Sequence, residues 1–155
     1  AFRLVYKKYP EAMLVLVGDG ELKDQLRTRA LELDIAPQVL FAGRSEGEAL
    51  FAWFNLAQVM VLPSHYEPFG AVVNELMLAG ARILCSQYAG ASSIVVNDVN
   101  GQVFDPADIK AFAAILEKYF DSIVPATPGS NIRPSRMLVN FNDCTANLEN
   151  KLLGL

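Results

Sequence analysis

The sequence is poor in the residues that metal, disulfide and proton-shuttle chemistry require. It holds only two cysteines, Cys85 and Cys144, and a single histidine, His65. That is too few for a disulfide framework, and they stand at no metal-ligand spacing. A reducing, cytoplasmic setting is the default, with peripheral contact at the inner membrane face as a second setting. No apolar run approaches the ~18 residues of a membrane span, and the opening residues do not have the pattern of a signal peptide. Basic residues are not in excess: 13 Lys and Arg stand against 17 Asp and Glu, for a net charge of −4. Nucleic acid is therefore excluded as an expected partner, because binding it rests on neutralising backbone phosphates.

What is present is apolar material in short pieces. Hydrophobic residues make up 52% of the 155, and a chain of that length buries about 70% of the surface it exposes unfolded. Met13–Val17 is a continuous apolar run ended by Gly18, which predicts a strand buried on both faces. A helix follows with Leu22, Leu26, Ala30 and Leu33 at helical spacing. The unit repeats. Strands are predicted over 38–42, 58–62, 82–86 and 102–104, and helices over 48–56, 70–79, about 92–96 and 107–120. Leu50, Trp53 and Phe54 face inward on the helix at 48–56, and Ile109, Phe112, Leu116 and Tyr119 on the last. Five strands alternating with helices predict an α/β fold, a Rossmann-like, doubly wound parallel sheet of about five strands flanked by helices.

The chain opens directly in a helical pattern, with Phe2, Val5, Tyr6 and Tyr9 on one face, and reads as a piece of a longer protein. Residues 1–122 form the predicted domain. Positions 123–134, with three prolines and no periodicity, read as a linker. Residues 135–155 read as a helical tail with Phe141, Cys144, Leu148 and Leu152 on one stripe.

The stretch Pro63–Gly80 holds the most chemistry. A strand, a Pro/Gly-rich corner and a helix start leave backbone N–H groups free and pointing one way, the arrangement that binds phosphate. Glu67 and Glu75 bracket that corner. Acids beside an anion site suit hydrogen bonds to sugar or ribose hydroxyls. Elsewhere, Gly18-Asp19-Gly20 follows a strand and opens a helix. Lys23 stands where a dinucleotide fingerprint has its third glycine, so a tight turn is as good a reading as a ligand contact. Arg44 is either an exposed loop arginine or a lining residue of a base or phosphate pocket. No nucleophile is placed for His65, and Cys85 reads as a small core hydrophobe.

The spacing Glu67-Pro-Phe-Gly-Ala-Val-Val-Asn-Glu75 resembles the Glu-x7-Glu motif of glycosyltransferase family 4, retaining enzymes of the GT-B fold. Leu14–Leu22, Val39–Arg44, Ala57–Ser64 and Asn100–Pro106 are similar, in order and spacing, to the donor-binding C-terminal half of that family. The resemblance implies a nucleotide-diphosphate sugar (UDP-, GDP- or ADP-linked) as donor substrate, no cofactor and no bound metal. It implies a glycan or lipid-linked acceptor held by a separate N-terminal domain, in glycan, polysaccharide or glycolipid synthesis. Glu67 would hold hydroxyls of the transferred sugar and act in catalysis, and Glu75 would accept from the ribose. Phe69, Gly70, Ala71 and Val72 would present N–H groups to phosphate and sugar, the helix dipole adding about 0.3–1 kcal/mol. Gly18, Gly20 and Arg44 would border the nucleotide.

The sequence departs from the family in two places. The family's first strand, with a Gly-Arg corner and a nearby lysine, is missing before Phe2. The strands at 13–17 and 58–62 are therefore expected either to pair directly or to leave a groove. Because the acceptor site belongs to the N-terminal domain, this chain alone is expected to be inactive. At Tyr88–Ser93, Ala89 precedes Gly90 and Ser93 replaces an acid, with the serines suited to capping. A nucleotide-sugar epimerase and a non-catalytic nucleotide-binding or assembly module are the competing readings.

Overall fold

The structure is a computed structural model that describes residues 1–123, 133–139, 142–143, 145–146 and 151. The predicted stripe of Phe141, Cys144, Leu148 and Leu152 and linker positions 124–132 lie outside the described residues. All five strands form where apolar runs were read: β1 (Leu14–Val17), β2 (Val39–Gly43), β3 (Val59–Leu62), β4 (Arg82–Ser86) and β5 (Gly101–Phe104). The helices are α1 (Phe2–Val5), α2 (Lys23–Glu32), α3 (Gly47–Leu56), α4 (Val72–Leu78) and α5 (Ile109–Asp121). None of them is long and apolar enough to cross a membrane.

The strands are divided between two sheets. β1 pairs with β2 in parallel, Leu14 opposite Val39 and Leu16 opposite Phe41. β3 pairs with β4 in parallel, Val59 opposite Arg82 and Leu62 opposite Cys85, and β5 follows on the far side of β4. Direct pairing of β1 with β3, one of the two expected outcomes, does not occur: each bonds within its own sheet. The chain accordingly forms two compact units, one of Ala1–Gln58 with the segment from Phe104 through α5, the other of Val59–Val103 with residues 133–139.

In the first unit α1 and α5 pack together. Val5 is buried, and Tyr9 sets its ring edge-on to Phe120 at 5.0 Å. α5 begins at Ile109 because Asp108 caps it, its carboxylate accepting Ala111 N–H at 2.9 Å. Its inner face is Ala113, Leu116 and Tyr119, with Phe112 stacked on Phe104 at 4.0 Å, while Ile109 is exposed, contrary to the predicted stripe. α3 buries Phe54 and half-buries Leu50 and Trp53. The stripe expected on α2 is also corrected: Leu22 and Leu26 are exposed, and only Ala30 is buried. Every residue of β1 is half-buried, as is every residue of β3. A strand at a sheet edge lacks a neighbour on one side, and the burial on both faces expected of the 13–17 strand does not occur.

The buried strand is β4, in the middle of the second sheet, with Ile83, Leu84, Cys85 and Ser86 each at most 1% exposed. Burial pushes the Cys85 thiol above its ordinary value, as befits a core hydrophobe. α4 covers this strand with Val73, Leu76 and Met77. It ends in a Schellman cap: Gly80, at φ +72°, donates to Met77 O, and Ala81 N–H donates to Leu76 O, both at 3.0 Å. Arg136 fastens the same end, its backbone N–H donating to Met77 O at 2.8 Å and its Nε to Gly80 O at 3.1 Å. Beyond β4 the chain makes a 3-10 turn over Gly90–Ile94 rather than the helix predicted over 92–96.

Candidate functional site

Glu67 stands between β3 and α4, and its backbone is fixed on both sides. Its N–H donates to Tyr88 O at 3.3 Å, and its C=O accepts Gly90 N–H at 2.8 Å, so the segment runs parallel to the loop after β4. Gly90 is demanded by this approach, since a Cβ there would run into the Pro68 carbonyl. The side chain folds back on its own loop. Glu67 Oε1 accepts Phe69 N–H at 3.2 Å and Gly70 N–H at 3.1 Å. Two of the four N–H groups expected to face a ligand are therefore held by the protein's own carboxylate. Those of Ala71 and Val72 have no hydrogen-bond partner among the described residues.

Gly70 adopts φ +73° and is buried under Ala91 and Leu62. Its conformation and packing alone require glycine. The short helix α4 follows, and Glu75 falls in its first turn. It is exposed, and its carboxylate has no hydrogen-bond or ion-pair partner among the described residues. His65, Tyr66 and Phe69 are exposed as well. Ser93 caps nothing here: its hydroxyl donates to Gly90 O at 2.9 Å. The residues that sequence reasoning missed are Tyr88 and Gly90, whose backbone holds Glu67, and Asn100, which braces the loop. Asn100 is buried, accepts Val96 N–H at 2.7 Å and donates to Ile94 O at 2.9 Å. The signal was a glycine and an amide in apolar surroundings, each needing a reason.

In the other unit, Gly18 and Arg44 lie at the carboxyl ends of neighbouring strands. Gly18 N–H donates to Gly43 O at 2.7 Å, and Gly18 takes φ +139° with open space where a side chain would stand. Gly20 N–H is held by Asp19 Oδ1 at 3.0 Å. Lys23, the residue in place of a third glycine, pairs with Asp19 at 3.2 Å and holds its carboxyl below the usual range. Arg44 reaches Glu46 Oε1 at 2.6 Å through Nη2, with its side chain 79% exposed. So exposed an ion pair contributes little and exchanges readily. Among the described residues no group of three or more His, Cys, Asp or Glu could hold a metal.

The chain is 38% identical over 90 residues to an uncharacterized glycosyltransferase, MJ1607, of Methanocaldococcus jannaschii, an overlap of 58% of this chain and 23% of the relative. It thus spans about a quarter of that relative's length. Among solved structures, the C-terminal domain of a glycosyl transferase group 1 family protein (LpcC) from Francisella tularensis superposes with a TM-score of 0.70 at 21% identity, covering 95% of this chain and 75% of that one. Anabaena Alr3699/HepE in complex with UDP-glucose gives a TM-score of 0.66 at 26% identity, covering 72% and 32%. Residues 1–123 match the family described as glycosyl transferases group 1, and the chain belongs to that family.

Proposed function

We propose that this chain is the donor-binding half of a retaining glycosyltransferase of family 4, and that the corner from Glu67 to Glu75 holds a nucleotide-diphosphate sugar. The observation that carries this reading is the distribution of unused hydrogen-bonding capacity. Among the described residues the N–H groups of Ala71 and Val72 have no partner at the corner, and neither has the Glu75 carboxylate three residues further on. Donors for a phosphate and an acceptor for hydroxyls thus lie within one turn of helix. A relative of the same fold is known with UDP-glucose.

In this account the N–H groups of Ala71 and Val72 meet the donor's phosphate or sugar. Glu75 accepts from the ribose, Glu67 acts on hydroxyls of the transferred sugar, and Phe69 and Gly70 contribute their amides when Glu67 leaves them. On the other unit, taken by itself, Gly18, Gly20 and Arg44 are assigned to nucleotide contacts, with Arg44 exchanging Glu46 for the ligand. Charge growing on the departing diphosphate is offset by these fixed donors and by basic side chains. Retention by double displacement needs a carboxylate on the face opposite the leaving group. Glu67, the nearest candidate, is assigned instead to positioning and electrostatics, which leaves the front-face route to which the family is generally assigned, with the leaving phosphate helping to deprotonate the acceptor. The acceptor, a glycan or a lipid-linked sugar, belongs to a separate N-terminal domain, and the setting is the cytoplasm or the inner membrane face.

The test is transfer from UDP-, GDP- and ADP-sugars by the full-length protein, with the anomeric configuration of the product read by NMR. Transfer with retention supports the reading. Donor hydrolysis alone, epimerised donor or inversion overturns it.

A further inference from the structure

Glu67 is held at its backbone and free at its side chain. Its backbone is tied at both N–H and C=O to the loop after β4, Pro68 restricts the chain after it, and Gly70 is locked by its packing. Only the side-chain torsions can change. In the structure they place a carboxylate on the amides of Phe69 and Gly70, with both bonds going to the same oxygen. That carboxylate occupies the two amides that the donor-site reading gives to the ligand. A diphosphate approaching the same N–H groups meets an occupied site and a like charge.

From this geometry we infer that Glu67 is a specificity latch that makes the corner prefer a sugar-bearing nucleotide to the bare nucleotide left after transfer. The inference rests on the donor-site reading above. Hydrogen bonds to charged groups are among the stronger ones in proteins, so removing Glu67 from the turn requires a substitute partner. Hydroxyls of a bound sugar supply that partner: the carboxylate rotates onto them, and the amides of Phe69 and Gly70 pass to the ligand. UDP without a sugar offers Glu67 no hydroxyl at that position. The carboxylate then stays, two donors are withheld, and repulsion remains. After transfer, the return of Glu67 to its own loop opposes the spent nucleotide and promotes its release. Glu67 thus affects which nucleotide stays bound as well as the transfer itself.

Calorimetry on the full-length protein tests this with UDP and UDP-glucose as probes. Glu67→Ala empties the turn, and its affinity for UDP is expected to rise about tenfold while its affinity for UDP-glucose does not rise. Glu67→Gln keeps an oxygen over the two N–H groups without the charge and guards against misfolding of the alanine variant; its gain in UDP affinity is expected to be smaller but in the same direction. Unchanged or weakened UDP binding in both variants, or equal gains for the two ligands, overturns the latch. Should the unaltered protein bind neither, the same pair of measurements is made with GDP and GDP-mannose and with ADP and ADP-glucose; binding of none of the three pairs overturns the donor-site reading instead, so the two failures are distinguishable.

Discussion

Gly70 lies so close to Ala91 that a Cβ added to it would stand 3.0 Å from the Ala91 Cβ, with Leu62 Cδ2 3.1 Å away on the other side. The contact ties the acidic corner to the loop after β4, and it gives this glycine a role in the fold that does not depend on any ligand. Gly70→Ala should destabilise the protein by about 2 kcal/mol, from the positive φ together with the displaced neighbours. Urea unfolding without nucleotide measures it. A loss seen only in nucleotide binding, with the unfolding midpoint unchanged, would mean that glycine is needed there for ligand approach alone.

Asn100 should be nearly as costly to remove. Asn100→Ala leaves the Val96 N–H and the Ile94 carbonyl without the buried amide that serves both, a loss of about 1–3 kcal/mol. Thermal unfolding reads it, and an unchanged midpoint would show that water takes over both groups.

Glu75→Ala should do the reverse. The side chain is exposed and unpartnered among the described residues, so stability should stay within about 0.5 kcal/mol. Donor affinity should fall about tenfold or more if the carboxylate accepts ribose hydroxyls. Calorimetry with UDP-glucose distinguishes the outcomes, and unchanged affinity removes Glu75 from the site.

These residues also mark how far the sequence could be read. Apolar runs such as Arg82–Ser86 announce strands because burial needs them, and all five formed. A run does not name its partner, however, so the division into a β1–β2 ladder and a β3–β4–β5 sheet was not legible. Helical spacing put Leu22 and Leu26 on a stripe, but spacing reports a face and not whether anything covers it. At the corner, the acids and the Pro-Phe-Gly turn were visible as residue types. That Glu67 would spend its carboxylate on Phe69 and Gly70 depends on a side-chain rotamer, which no spacing encodes.

A pH dependence follows from the contacts between the first residues and α5. The Tyr9 hydroxyl donates to Asp121 Oδ1 at 2.7 Å, and Lys8 reaches Glu117 at 2.6 Å and Asp121 at 3.4 Å. Tyr9, then Lys8, hold the Asp121 carboxyl below its ordinary value, while the hydrogen bond to Glu117 leads the causes that raise the Lys8 ammonium. For Asp121 the stabilisation is present above the unfolded carboxylate value near pH 4 and is lost as pH falls through the lower folded value. For Lys8 it is present below the unfolded value near pH 10 and is lost as pH rises through the higher folded one. Tyr9→Phe should move the Asp121 titration, followed by carboxyl-carbon NMR, up toward the unperturbed value. An unmoved titration would assign the shift to Lys8 alone.

The central claim is that Glu67 acts on the transferred sugar rather than merely holding the donor. Its most direct test is the steady-state kinetics of Glu67→Gln in the full-length protein with the preferred donor. The expected result is a kcat lower by about a hundredfold, a few kcal/mol of lost transition-state stabilisation, with the donor KM within about threefold. Equal losses in donor binding and turnover, or a kcat left intact, would contradict it.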